Sequence, residues 1–106
     1  MFNINGYYWN IKIVSGNHPS LTRRDGEQAL GSCEAETLTI YLSVAIPDYK
    51  FKKVLCHEIA HAAMFSYHVL LDETQEELIA DLIATYGQEI IEITNKIFSR
   101  ITYGGA

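Results

Sequence analysis

The order of hydrophobic periods along the chain predicts an α+β fold, a small antiparallel or mixed sheet of about three strands packed on two long helices. Through residue 43 the apolar positions alternate and are separated by turn-rich segments; beyond Pro47 they recur every three or four residues. Length sets the scale. At 106 residues and 48% hydrophobic composition, the chain is long enough for one ordinary core and too short for two, so residues 1–106 are expected to form one domain.

The segment YYWNIKIV, residues 7–14, is aromatic and β-branched, with Trp9, Ile11 and Ile13 on one parity and Asn10 and Lys12 on the other. That is the pattern of a half-buried strand. SGNHPS and RRDGE follow as turn-rich sequence, leaving residues 15–26 as loop. A second strand is expected over 27–33 and a third over 36–43, where Leu38, Ile40 and Leu42 share one face and Thr37, Thr39 and Tyr41 the other. After Pro47, a suitable helix-start residue, the spacing of Phe51, Val54, Leu55, Ile59, Ala62 and Ala63 predicts an amphipathic helix over 48 to about 67. HVLLDET reads as a connector. A second long helix starts near Thr74, with Leu78, Leu82, Ile83, Tyr86, Ile90 and Ile97 along its expected buried side and Gly87 as a point for a kink or break.

Composition removes several classes of function. Lys and Arg total 8 against 13 Asp and Glu, a net charge of −5, so the electrostatic footprint of a nucleic-acid binder is missing. The opening residues carry no basic segment followed by an apolar run and cleavage site, and no apolar stretch is long enough to span a bilayer. No nucleic-acid or membrane partner is expected, and the compartment that fits is the cytoplasm. Cys33 and Cys56, the only cysteines, form no C-x-x-C pair and are expected as reduced thiols.

The chemistry concentrates in the first helix. His57 and His61 are four residues apart, which on a helix stacks their side chains so that both imidazoles can converge on one ion at about 2.0–2.1 Å. Glu58, one position on, is placed to take a proton from water activated at that ion. Together they spell H-E-x-x-H. The residues around them, Leu55, Ile59, Ala60, Ala62 and Ala63, are apolar, so these polar groups are expected to point inward and to need partners. A catalytic zinc takes three protein ligands and an open position. Glu77 in the second helix can supply the third, with Asp81 four residues later accepting the outer N–H of a ligand histidine. A hairpin of the two helices would bring these groups together.

His57-Glu58-x-x-His61 followed by Glu77-x-x-x-Asp81 is similar to the H-E-x-x-H plus E-x-x-x-D arrangement of gluzincin metallopeptidases. Within that clan, the strand TLTIYLS before the metal helix and the run Glu77-x-x-Ala80-Asp81-x-Ile83-Ala84 resemble the ImmA/IrrE-type minimal peptidases of bacteria and mobile elements, a likeness covering roughly residues 30–84. The resemblance implies Zn2+ as cofactor, His57, His61 and Glu77 as ligands, Glu58 as general base and Asp81 as orienting carboxylate. It implies a protein or peptide substrate, which in that family can be a repressor protein. Asp81 stands where the family often has Asn.

Blander readings accompany each residue. Glu77 also fits a capping box begun by Thr74, and Glu76 is an alternative ligand. His68 suits a helix C-terminus better than a third-histidine ligand. Cys56 points about 100° away from its ligand neighbour, which favours packing. Tyr67, Tyr86 and His68 are conceivable oxyanion donors. Substrate is expected to lie along an exposed strand edge near Thr37 to Leu42. The rival to an enzyme is a non-catalytic interaction module stabilised by zinc.

Overall fold

The computed structural model describes residues 1–103. Asn5 and Gly6 both adopt positive φ, 50° and 87°, and turn the chain between β1 (Phe2–Ile4) and β2 (Tyr7–Val14). Positive φ at both central residues is the requirement of a type I′ hairpin, and Asn-Gly is its strongest sequence signal. β1 is therefore an addition to the expected strands, although its turn was legible. The expected loop contains a short 3-10 turn, Pro19–Leu21, whose Leu21 is buried.

The remaining strands are shorter than the sequence suggested. β3 (Gly31–Glu34) and β4 (Thr39–Ser43) flank a turn at residues 35–38, in which Leu38 takes φ 50°. Leu38 thus closes the hairpin and, partly buried, still packs against the core that Ile40 and Leu42 form. The sheet order is β1-β2-β4-β3, with β4 parallel to β2 and antiparallel to β3. A mixed sheet results because the chain leaves β2, passes through residues 15–30 and returns outside β4. β4 is consequently interior, and the expected substrate edge at Thr37 to Leu42 is corrected: both sides of β4 are already hydrogen-bonded. The free edges belong to β1 and β3.

Helix α1 (Asp48–Ser66) packs across this sheet. Trp9, Ile40, Leu42, Ile46 and Ala62 form the main core, with Trp9, Ile40, Leu42 and Ala62 fully buried. Trp9 Nε1 donates to Ser66 Oγ at 2.9 Å, and Asn5 Nδ2 donates to the Ser66 carbonyl at 2.9 Å, so the β1-β2 hairpin is pinned to the last turn of α1. That helix ends in a Schellman arrangement: Val69 N–H bonds the Met64 carbonyl and His68 N–H the Phe65 carbonyl, with His68 itself at φ 57°.

Helix α2 (Glu73–Thr102) runs antiparallel to α1 and continues through Gly87 without a break. A second, smaller cluster of Ala60, Met64 and Ala80 joins the two helices. The expected buried side of α2 is overturned. Leu78, Leu82, Ile83, Tyr86, Ile90 and Ile97 are between 41% and 70% exposed, and Ala80 is the buried residue of the helix. Periodicity identifies an apolar face but not a partner for it, and the four-stranded sheet is spent covering α1. The second half of α2 instead projects from the body, giving extents of 55 × 30 × 28 Å and a radius of gyration of 16.3 Å. A compact chain of this length has about 13 Å.

Candidate metal centre

Helix geometry alone sets the first pair. His57 and His61 sit one turn apart on α1, their ring centroids 4.8 Å apart and their Nε2 atoms 3.1 Å apart. The start of α2 supplies the rest. Asp72 caps that helix, accepting from Gln75 N at 2.8 Å while Gln75 Oε1 accepts from Asp72 N at 3.2 Å. The capping box thus lies two residues before the Thr74 to Glu77 box expected from sequence and leaves Glu77 free to turn toward α1.

Glu77 Oε1 lies 2.7 Å from His61 Nε2, and its Oε2 lies 3.4 Å from His57 Nε2. On the far side of each ring stands another carboxylate. Asp81 Oδ1 is 2.9 Å from His57 Nδ1, and Glu76 Oε1 is 2.7 Å from His61 Nδ1. A carboxylate against Nδ1 selects the tautomer with the proton there, so both Nε2 lone pairs face the same point. Two lone pairs and a carboxylate oxygen cannot satisfy one another; a proton or a cation must sit among them.

The spacing fits a metal ion. Donors at about 2.0–2.1 Å from a tetrahedral zinc are roughly 3.3 Å from one another; here the two Nε2 atoms are 3.1 Å apart, and the Glu77 carboxylate meets one through Oε1 at 2.7 Å and the other through Oε2 at 3.4 Å. The ligand atoms of His57, His61 and Glu77 all fall within 4.8 Å of one another. Nitrogen and carboxylate oxygen donors suit zinc and related divalent ions. A proton is the alternative occupant of this point. Burial opposes charge on His61, but the hydrogen bond with Glu76 and the charges of Glu77 and Glu58 outweigh it and raise its pKa.

Glu58 lies on the inner side of α1, 7% exposed. Burial raises its pKa above the usual carboxylate range, His57 and His61 pull it back, Glu77 raises it, and the positive charge of Arg23 lowers it. A carboxylate made more basic while its charge remains partly compensated is suited to accept a proton. Gly31 of β3 presses on it. A Cβ built there would stand 2.9 Å from both Cγ and Oε2 of Glu58, so only glycine permits this approach.

These groups open on a cleft of about 1320 Å³. Gly31, Ser32 and Cys33 of the edge strand form part of one wall, Arg23 and Arg24 of the preceding loop another part, and His68 to Leu71 of the connector close one end. Cys33 lies outside the group formed by His57, His61 and Glu77. Burial first, then the nearby charges of Glu58, Glu76 and Glu34, push its thiol up to about 12, so it stays protonated. Tyr67 and Tyr86 do not line the cleft, and His68 Nε2 stands 3.5 Å from the Tyr7 hydroxyl.

The structure thus brings His57, Glu58, His61, Glu77 and Asp81 together. It adds Glu76, considered from sequence only as a substitute ligand, as a second carboxylate orienting a histidine. Gly31 and Arg23 were missed, since they approach from elements distant in sequence. Comparison with protein-family models, with curated proteins and with solved structures finds no match.

Proposed function

We propose that the protein is a zinc-dependent metallopeptidase of the gluzincin type, hydrolysing peptide bonds of a protein or peptide substrate. The observation that carries this reading is the burial of Glu58 beside a three-donor cluster at the mouth of an open cleft. A purely structural metal site has no use for a basic carboxylate next to the ion.

His57, His61 and Glu77 would hold the metal, with Asp81 and Glu76 fixing the imidazoles through Nδ1. The chemistry that a bound zinc supplies is Lewis acidity toward the scissile carbonyl and an easier loss of a proton by the attacking water. Glu58 accepts that proton and later delivers it to the departing amine. Substrate fits best as an extended segment added to the free edge of β3, where Gly31, Ser32 and Cys33 line the cleft beside Glu58. Main-chain pairing of this kind gives affinity with little side-chain selectivity. Arg23 and Arg24 favour acidic groups nearby.

Zinc content and hydrolysis of a mixed peptide library, measured together, test the reading. Wild type and Glu58→Gln are expected to retain about one zinc each, while only wild type cleaves. Undiminished cleavage by Glu58→Gln, or no cleavage by zinc-loaded wild type, contradicts it.

A further inference from the structure

The projecting half of α2 carries a seam with heptad spacing. Ile83, Tyr86, Ile90, Ile93 and Ile97 alternate by three and four residues, and each is 41% to 53% exposed. Leu82 and Ile101 flank them, also exposed. With roughly half of each side chain open to solvent, these seven present on the order of 700 Å², close to the roughly 800 Å² per partner of a standard interface. Thirty residues of helix do not leave such a face unpartnered without consequence for solubility.

We infer that this face pairs with the same face of a second copy of the chain, the two α2 helices antiparallel about a two-fold axis near residues 91 and 92. Charge decides the direction. In the heptad that places Ile83, Ile90 and Ile97 at a and Tyr86, Ile93 and Arg100 at d, the g positions hold Leu82, Glu89 and Lys96, and the e positions hold Gly87, Thr94 and Ile101. Antiparallel helices juxtapose g with g. Glu89 of each copy then meets Lys96 of the other, twice by symmetry, in the same register that stacks Ile90 on Ile93 and Tyr86 on Ile97. Parallel helices would set Glu89 and Lys96 against uncharged e residues and gain nothing. At the ends of the seam Arg100 lies over Ile83, its aliphatic stem on the apolar face and its guanidinium in water. The small Gly87 and Thr94 at e allow close approach of the backbones. Beyond Leu82 and Ile83, which follow Asp81, the pairing uses residues remote from the metal centre, and it does not depend on that centre's function.

Sedimentation equilibrium across micromolar concentrations is the test, since a dimer has twice the 12.0 kDa chain mass. Glu89→Lys and Lys96→Glu each turn two attractive contacts into repulsive ones and are expected to weaken association roughly tenfold. The double variant restores opposite charges in antiparallel geometry alone and is expected to return to within about threefold of wild type. Ile93→Glu is expected to be monomeric, with unchanged helix content and zinc stoichiometry, because its side chain touches nothing in the isolated chain that folding needs. A wild type that remains monomeric, whether or not it binds lipid vesicles, overturns the proposal. So does a dimer that Ile93→Glu leaves intact or that the charge swap fails to rescue.

Discussion

At the scale of single residues, the site is governed by which nitrogen of each histidine carries its proton. Glu76 and Asp81 hold the Nδ1 protons, so removing either carboxylate loosens the ring it orients. Glu76→Ala and Asp81→Ala are each expected to weaken zinc binding about 10- to 100-fold in competition with a chromophoric chelator. Asp81→Asn keeps an acceptor for the His57 proton and is expected to lose far less. His61 makes binding depend on pH. Its folded-state pKa is raised above the ordinary 6.5, so in the metal-free protein the stabilisation from its charged form is complete below 6.5 and is lost as pH rises through the folded value. Zinc must displace that same proton. Affinity is therefore expected to fall with decreasing pH, the fall beginning above pH 6.5, and calorimetry in buffers of different ionisation enthalpy is expected to detect proton release on binding near neutrality.

Between elements, two close approaches hold the centre together. Ala80 is fully buried where α2 meets Ala60 and Met64 of α1, so the helices can sit near enough for Glu77 to reach both imidazoles. Ala80→Leu is expected to destabilise the fold by about 1–3 kcal/mol through overpacking, and to weaken zinc binding as well by separating the helices. Chemical denaturation with and without zinc separates the two effects. Gly31 is the other approach. Gly31→Ala drives a methyl group into Glu58 and is expected to lower turnover at least tenfold with zinc content unchanged; full activity in that variant would mean that Glu58 has room to spare. The contrast marks what the sequence can say. His57, Glu58 and His61 were legible because one helical turn fixes their relation, and Glu77 and Asp81 because a second turn fixes theirs. Gly31 next to Glu58, Glu76 behind His61 and the interior place of β4 depend on how distant segments meet. No local spacing encodes them.

Over the whole molecule, the chain divides into a sheet-and-helix body that carries the centre and an α2 extension about 18 residues long beyond it. The body is small. Its main core has few fully buried large side chains, Trp9, Ile40 and Leu42 among them, so an ion tying α1 to α2 as proposed would contribute a large share of stability. At one hundred times its dissociation constant, zinc is expected to stabilise wild type by about 2.7 kcal/mol, roughly 10–20 °C in melting temperature. Glu77→Ala, with one helix released from the ion, is expected to show a much smaller shift in the same scan. The apolar period of α2 was read correctly as amphipathic and wrongly as buried, because a hydrophobic face is a property of one helix and burial is a property of the assembly. No helix of the described residues is long and apolar enough to cross a membrane.

The proposed function rests on a divalent ion held between the two helices by His57, His61 and Glu77, and zinc K-edge absorption of protein loaded with one equivalent tests this most directly. The expected first shell contains two imidazole nitrogens and carboxylate oxygen at about 2.0–2.1 Å, with the imidazole signal lost in His57→Ala and His61→Ala. A sulfur neighbour at about 2.3 Å, or a shell unchanged by those substitutions, would contradict the account.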